Sequence, residues 1–120
     1  MYRQVSGNKF HARKTDFDGI KYDSKFEASY AAELALRIKA RDIAGWRRQV
    51  RIPLVVNDEH IADYWIDFIL QHNDGSEEYV ECKGFETRDW KLKFKILEAM
   101  LKNDPTKRLT VVKQNRRWFR

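Results

Sequence analysis

Three β-rich runs separated by turn-forming residues occupy the middle of the chain and most constrain its fold. They are WRRQVRIPLVV (46–56), HIADYWIDFIL (60–70) and EEYVECK (77–83). The breaks between them, Asn57-Asp58 and Asn73-Asp74-Gly75-Ser76, suit tight hairpins. The pattern predicts an antiparallel three-stranded meander, and Pro53 indicates that its first strand is an edge strand or contains a bulge.

Helical patterns precede and follow the meander. Phe26, Tyr30, Leu34 and Ile38 recur every four residues, and Gly45 supplies a stop, so the first helix is predicted at about 24–44. A second helix is predicted at about 88–102, because Trp90, Phe94, Leu97 and Leu101 share one side. LTVV (109–112) has the composition of a final strand.

The element order is therefore αβββαβ, and the fold class is α+β (or α/β) with a mixed central sheet flanked by helices. A length of 120 residues fits one domain spanning 1–120. No apolar run approaches the roughly 20 residues that a bilayer-spanning helix needs, and no secretory signal is recognisable at the start. We therefore expect a cytoplasmic protein without a membrane partner. The single Cys82 excludes an internal disulfide and makes a zinc site improbable.

The charge is basic, with 24 Lys and Arg against 18 Asp and Glu and a net charge of +6. The excess is concentrated at the ends, in segments 1–15 and 113–120. Such ends are typical of a polyanion-binding protein, but they are equally compatible with solvated termini that keep a small protein soluble. A nucleic-acid function needs a site as well.

The strand 77–83 carries the sharpest candidate site. Side chains alternate along a strand, so Glu81 and Lys83 project from one face while Cys82 points away. If the second hairpin has a three-residue loop, His72 pairs with Ser76 and Asp67 lies opposite Glu81, with their Cβ atoms roughly 5 Å apart.

Two carboxylates this close repel each other unless a cation lies between them. Asp67 and Glu81 offer oxygen ligands suited to Mg²⁺ or Mn²⁺, and the backbone carbonyl of Cys82 is a further candidate ligand. Lys83 is placed to steady the nucleophile or the transition state. The alternative is a Glu–Lys pair on a solvated sheet face, which the short E-x-K pattern also fits.

Two assignments among the acids have competitors. Asp67 is favoured over Asp63, which would lie about 14 Å further along the strand at roughly 3.4 Å per residue. Glu27 either forms a capping box with Ser24 or approaches the metal from the helical face that it shares with Ala31 and Leu34.

A resemblance to a known family rests on longer motifs. The runs KTDFDGIKYDSKFEASYAAEL, YWIDF and YVECKGFETRDWKLKFK resemble the PD-(D/E)XK nuclease superfamily with its restriction-endonuclease-like αβββαβ core. More narrowly, they are similar to small phage-encoded endonucleases that include Holliday junction resolvases. The chain departs from the pattern in having ECK where many relatives have DVK, and in having no proline before Asp67.

The resemblance implies Mg²⁺-dependent endonucleolytic cleavage of DNA, with Mn²⁺ as a substitute. Glu27, Asp67 and Glu81 would surround the metal, and Lys83 would be the catalytic lysine. It also implies a branched substrate such as a four-way junction, a homodimer that presents two active sites, and the host cytoplasm as the location. The candidate DNA contacts are Lys9, Arg13, Lys14, Lys91, Lys95, Arg116 and Arg117.

Other functions remain open from sequence. A nuclease that acts on flaps, ends or duplex DNA would use the same site. A non-catalytic DNA-binding module of this fold would need only the basic ends. A purely structural or protein-interaction domain would leave Glu81 and Lys83 as a surface pair.

Overall fold

The structure, a computed structural model, describes residues 15–17, 20–22 and 25–113. The chain divides into two compact units, Met1–Asp42 and Ile43–Arg120. No helix in the described part of the chain is both long enough and apolar enough to cross a bilayer.

The first unit contains a short hairpin and one helix. Strands β1 (Thr15–Phe17) and β2 (Ile20–Tyr22) pair in antiparallel fashion. Helix α1 (Lys25–Lys39) follows and lies next to the hairpin. The buried residues of α1 are Glu27, Ala28, Tyr30, Ala31 and Leu34. Of the predicted apolar stripe, Tyr30 and Leu34 are buried, whereas Ile38 near the helix end is 39% exposed.

The predicted end of this helix was wrong. Helix α1 ends at Lys39 rather than near residue 44, and Gly45 instead begins the next strand. Arg41 adopts a left-handed conformation with φ of 62°. The backbone N–H of Asp42 then donates to the carbonyl of Arg37 at 2.8 Å, which is the helix-terminating pattern that usually uses glycine. The Arg37 guanidinium also binds the Asp42 carboxylate at 2.9 Å, which fastens the turn.

The second unit is a four-stranded sheet with one helix. Its elements are β3 (Gly45–Val56), β4 (Glu59–Gln71), β5 (Glu77–Lys83), α2 (Arg88–Leu101) and β6 (Lys107–Lys113). The spatial order is β3-β4-β5-β6; the first three strands form the predicted antiparallel meander, and β6 pairs with β5 in parallel. The sheet is therefore mixed, which confirms the α+β class, and the order from α1 onward is αβββαβ.

The two hairpin turns set the strand register. Asn57 and Asp58 have φ angles of 51° and 65°, as a two-residue turn with both central residues left-handed requires. The second hairpin has the predicted three-residue loop, closed by a 2.9 Å bond from the His72 N–H to the Ser76 carbonyl. Gly75 takes the left-handed position of that loop, with φ of 91°.

Pro53 is tolerated for both of the predicted reasons. Strand β3 lies at an edge of the sheet, with a neighbouring strand on one side only. An edge strand accommodates proline because backbone N–H groups on its open side have no strand to bond to. A register shift follows immediately, between Leu54 and Val55. Both the edge position and the bulge are confirmed.

The core of the second unit lies between α2 and the sheet. Leu97 of α2 is fully buried in a cluster with side chains from three strands, namely Leu54, Tyr64, Ile66, Ile69 and Tyr79. Before Asp67 the cluster includes the even-numbered β4 residues Tyr64 and Ile66, and after Asp67 it includes the odd-numbered Ile69. Because strand side chains alternate, the buried face of β4 changes phase at Asp67.

Candidate functional site

Two buried carboxylates occupy neighbouring central strands. Asp67 of β4 and Glu81 of β5 are each only 1% exposed. The regular pairing of these strands has the predicted register and ends with Phe68 opposite Val80, the pair next to Asp67 and Glu81. The two acids therefore lie on neighbouring strands, one step beyond the last regular pair.

The regular pairing of β4 with its neighbours is interrupted at Asp67. At this point the Asp67 carboxylate accepts hydrogen bonds from both neighbouring strands. The backbone N–H of Cys82 donates to Asp67 Oδ2 at 2.8 Å. On the other side, the ladder with β3 skips from Arg48 to Val50. Gln49, between them, has a left-handed φ of 51° and points its Nε2 at Asp67 Oδ1, 3.4 Å away. Asp67 is therefore oriented from both neighbouring strands.

Gln49 is a site residue that sequence reasoning missed. A glutamine inside a β-rich run carries no local signal of a left-handed backbone, which glycine or asparagine would usually provide. Non-glycine residues in this region are commonly held there by surrounding structure at functional sites. Gln49 is identified as a site residue by its contact with Asp67.

Asp63, the competing acid on β4, belongs to a separate surface cluster. Its carboxylate contacts His60 Nε2 at 2.7 Å and Arg51 Nη1 at 3.0 Å. The hydrogen bond with His60, followed by that with Arg51, holds the pKa of Asp63 below its usual value. Asp67 is thus the acid that the structure places next to the Glu81 strand.

Lys83 lies on the same face of β5 as Glu81, as strand alternation predicted. Its Nζ is 3.7 Å from Glu81 Oε2 and 4.6 Å from the centroid of the Trp90 ring. The side chains of Lys83 and Glu81 are 16% and 2% exposed. The ammonium group is therefore held between an acid and an aromatic face, a partly desolvated position where electrostatic interactions are strong.

A tyrosine and a tryptophan lie close to Glu81 and Lys83. The Trp90 Nε1–H donates to the Tyr64 hydroxyl at 2.7 Å. Burial, and then the negative charge of Glu81, raise the pKa of the Tyr64 phenol well above its usual value. The phenol consequently keeps its proton at physiological pH. Sequence reasoning assigned Trp90 only to the core.

The donor chemistry of this site suits a hard divalent cation. The carboxylates of Asp67 and Glu81 are both buried, and a divalent cation is a partner that would offset their negative charge. The Cys82 carbonyl also faces β4, because the N–H and C=O of one strand residue point toward the same neighbour. These oxygen ligands, supplemented by water, are what Mg²⁺ accepts. Within the described residues, no group of three or more His, Cys, Asp and Glu side chains is arranged to hold a metal.

Glu27 belongs to the first unit. It is 7% exposed and shares the buried face of α1 with Ala31 and Leu34, as predicted. Its predicted capping partner, Ser24, lies outside the described residues. The role of Glu27 as a metal ligand stays a prediction.

The predicted DNA contacts are described only on α2. Lys91 and Lys95 are exposed there, and Lys95 is 3.9 Å from Glu98. The other five predicted contacts lie outside the described residues; they are Lys9, Arg13, Lys14, Arg116 and Arg117.

The second unit is therefore an α+β domain in which neighbouring strands of a mixed sheet present two buried carboxylates and a lysine. The chain belongs to the family described as "Protein of unknown function (DUF1064)", whose model matches residues 7–116. No curated protein and no solved structure matches the chain.

Proposed function

We propose that the protein is a Mg²⁺-dependent DNA endonuclease that hydrolyses phosphodiester bonds in branched DNA, as a phage Holliday junction resolvase does. The observation that carries the proposal is the placement of buried Asp67 and Glu81 on adjacent strands with Lys83 beside Glu81. Acids in this arrangement can hold a metal that assists phosphodiester hydrolysis, and a lysine beside them can stabilise the charge that develops in the transition state.

Asp67 and Glu81 would hold the cation, with the Cys82 carbonyl as a further ligand. When bound, Mg²⁺ supplies positive charge for the phosphoryl oxygens and lowers the pKa of the attacking water. The bonds from Cys82 and Gln49 fix the Asp67 carboxylate in advance, so little reorganisation is needed on binding. Lys83 places an ammonium near the scissile phosphate to steady negative charge in the transition state.

Burial favours this role over that of a solvated surface pair. Exposed Glu–Lys pairs contribute little to stability and need no desolvation. Here the Glu81 side chain is 2% exposed, and a second carboxylate, that of Asp67, is buried on the adjoining strand. Placing two acids there costs stability, and sites that accept such a cost are frequently functional.

The net charge of +6 and the exposed lysines of α2 support DNA as the partner. A four-way junction has near two-fold symmetry and needs paired cuts, so a homodimer with two active sites is the matching assembly. The proposed location is the cytoplasm of the host cell.

The test is incubation of the full chain with a labelled four-way junction, a matched linear duplex and a flap, each with Mg²⁺ and with EDTA. Paired, Mg²⁺-dependent nicks confined to the junction support a resolvase. Cleavage of all three substrates indicates a nuclease of broader use, and binding without cleavage indicates a non-catalytic DNA-binding module.

Two glutamates of β5 provide a matched pair of variants for this assay. Glu81→Gln removes a proposed ligand, whereas Glu77→Gln changes an acid that instead contacts Arg47 at 3.3 Å. We expect Glu81→Gln to lose cleavage and Glu77→Gln to keep it.

A further inference from the structure

We propose that Phe85 is a specificity-determining residue that stacks on a base at the branch point of the DNA substrate. The proposal rests on the proposed function, because it names what the same site recognises beside the cleaved phosphate. In a continuous duplex both faces of each base are covered by stacking. A branch point interrupts the stack, so an aromatic ring gains access to a base face there at lower cost.

Phe85 exposes an aromatic ring to solvent. It is 69% exposed, whereas the other Phe, Tyr and Trp residues within 25–113 are buried or half-buried. A phenylalanine left in water forgoes the stabilisation that burial of its ring would give. Single exposed apolar side chains are nevertheless common on protein surfaces, so exposure alone would not indicate a binding role. The position of Phe85 supplies the further argument.

The ring is carried next to the proposed catalytic lysine. Lys83 is the last residue of β5, and Phe85 follows two positions later, so their Cα atoms are at most about 7 Å apart. Successive nucleotides of one DNA strand are separated by about 3.4 Å along the helix axis. A phosphate held at Lys83 therefore brings the bases one or two nucleotides away within reach of Phe85.

The loop that carries Phe85 is held on both sides. It consists of residues 84–87, between the end of β5 and the start of α2. The Glu86 carboxylate contacts Lys113 Nζ of β6 at 3.2 Å, and the Thr87 side chain accepts a 3.1 Å bond from the Trp90 N–H at the start of α2. A short loop that is already ordered loses little conformational entropy when its ring binds a partner.

Exposed cations lie beside the ring. Arg88 and Lys91 are both exposed in the first turn of α2. The acids of this segment are Asp89, in the same turn, and Glu86, which is paired with Lys113. Surfaces that bind unpaired nucleotides combine cations, which contact phosphates, with aromatic rings, on which bases stack. The segment that follows Lys83 has both components.

The experiment measures binding of the full chain to a four-way junction and to a matched linear duplex, by gel shift in Ca²⁺. We expect Phe85→Ala to weaken junction binding by about 10-fold and to leave duplex binding within about twofold of wild type. Phe85→Trp keeps a stacking ring and should bind the junction as wild type does.

Ile61→Ala is the matched control for loss of an exposed apolar side chain. Ile61 is 53% exposed and lies on β4, about 20 Å along the strand from Asp67 at roughly 3.4 Å per residue. Neither DNA affinity should change in this variant. Equal junction affinities in Phe85→Ala and wild type, or an equal loss of junction and duplex binding, would overturn the proposal.

A junction with abasic sites at its branch point identifies the partner of the ring. Wild type should bind this junction about 10-fold more weakly than the intact one, because the stacking partner is gone. Phe85→Ala should bind the two junctions about equally. A further 10-fold loss by Phe85→Ala on the abasic junction would also overturn the proposal, since ring and base would then act independently.

Urea unfolding distinguishes stacking on DNA from packing within the protein. Because Phe85 is exposed, Phe85→Ala should unfold at nearly the wild-type midpoint, and a large fall in the midpoint would count against the proposal. Failure of the proposed function has a different signature: wild type would cut none of the DNA substrates with Mg²⁺. Failure of the present proposal would leave cleavage intact and the preference for the junction unchanged in Phe85→Ala.

Discussion

The carboxylate of Asp67 accepts a 2.8 Å hydrogen bond from the backbone N–H of Cys82, the residue between Glu81 and Lys83. This bond replaces regular strand pairing, which ends one step earlier at Phe68 and Val80. The position of one acid is thereby tied to the backbone that carries the other acid and the lysine.

Asp67→Asn should abolish DNA cleavage while leaving the protein folded. The amide oxygen can still accept the Cys82 bond, but the loss of a negative charge removes most of the attraction for a divalent cation. We expect cleavage to fall by about 100-fold or more, measured as the single-turnover rate on the junction in saturating Mg²⁺. Asp63→Asn, on the same strand but paired with His60 and Arg51, should cleave like wild type. Equal rates in the two variants would argue against the site.

Lys83→Met should separate catalysis from binding. Methionine retains an apolar chain against the Trp90 ring but lacks the ammonium that lies 3.7 Å from Glu81. The cleavage rate should fall by about 100-fold or more while DNA affinity, measured by gel shift in Ca²⁺, changes little. Lys102→Met, at an exposed lysine just after α2, is the control for loss of one positive charge. Wild-type cleavage by Lys83→Met would remove the lysine from the mechanism.

Arg41→Gly should stabilise the protein, because Arg41 has a left-handed φ of 62° at the end of α1. Glycine adopts this conformation without steric cost, and the expected gain is about 1 kcal/mol in the free energy of unfolding. The measurement is the urea midpoint at constant m-value. Ala40→Gly, one residue earlier, should instead lower stability, since Ala40 is bonded to Leu36 in helical fashion and glycine loses more conformational entropy than alanine in such a position. A lower midpoint for Arg41→Gly would contradict this account of the helix end.

Glu78 ties β5 to β6 and to the turn that follows β4. Its carboxylate is bonded to His72 at 2.8 Å, Arg108 at 3.2 Å and Thr110 at 2.7 Å. Partial burial acts to raise the pKa of Glu78, but the bonds with Thr110, His72 and Arg108 outweigh it and lower the pKa. The ionised carboxylate therefore stabilises the folded state.

The sign of the pH dependence follows from that lowered pKa. The stabilisation is present above the pKa of Glu78 in the unfolded chain and is lost as the pH falls through its lower folded value. Glu78→Gln should thus cost about 1–3 kcal/mol at pH 7, and its difference from wild type should shrink in strongly acidic buffer. Urea unfolding at stepwise lower pH measures this, with exposed Glu59→Gln as the control. A difference that grows as the pH falls would refute the assignment.

The register of the candidate site could be predicted from sequence because the turn that sets it is local. Gly75 and its neighbours dictate a three-residue loop, and counting from His72 and Ser76 gives the register that the strands keep as far as Phe68 and Val80, one step short of Asp67 and Glu81. Strand alternation then places Lys83 beside Glu81. Each step of this prediction depends only on residues that are adjacent in sequence or paired across one hairpin.

The remaining features depend on contacts between distant residues or on backbone strain that composition does not reveal. Trp90 reaches Tyr64 across 26 positions, and nothing in either residue's neighbourhood distinguishes that bond from ordinary core packing. The left-handed backbones of Gln49 and Arg41 lack the glycine or asparagine that would signal them. The first helix was therefore predicted too long, and the glutamine next to Asp67 was not foreseen.

The parallel pairing of β5 with β6 affects when the site can be completed during synthesis. β5 finds β4 across a short hairpin, but its other edge stays open until α2 has formed and the chain has been made through residue 113. Closing such a non-local pairing is slower than closing a hairpin. The strand that carries Glu81 and Lys83 is thus among the last to be covered on both edges, and a nascent chain halted after α2 would expose it to pairing with other chains.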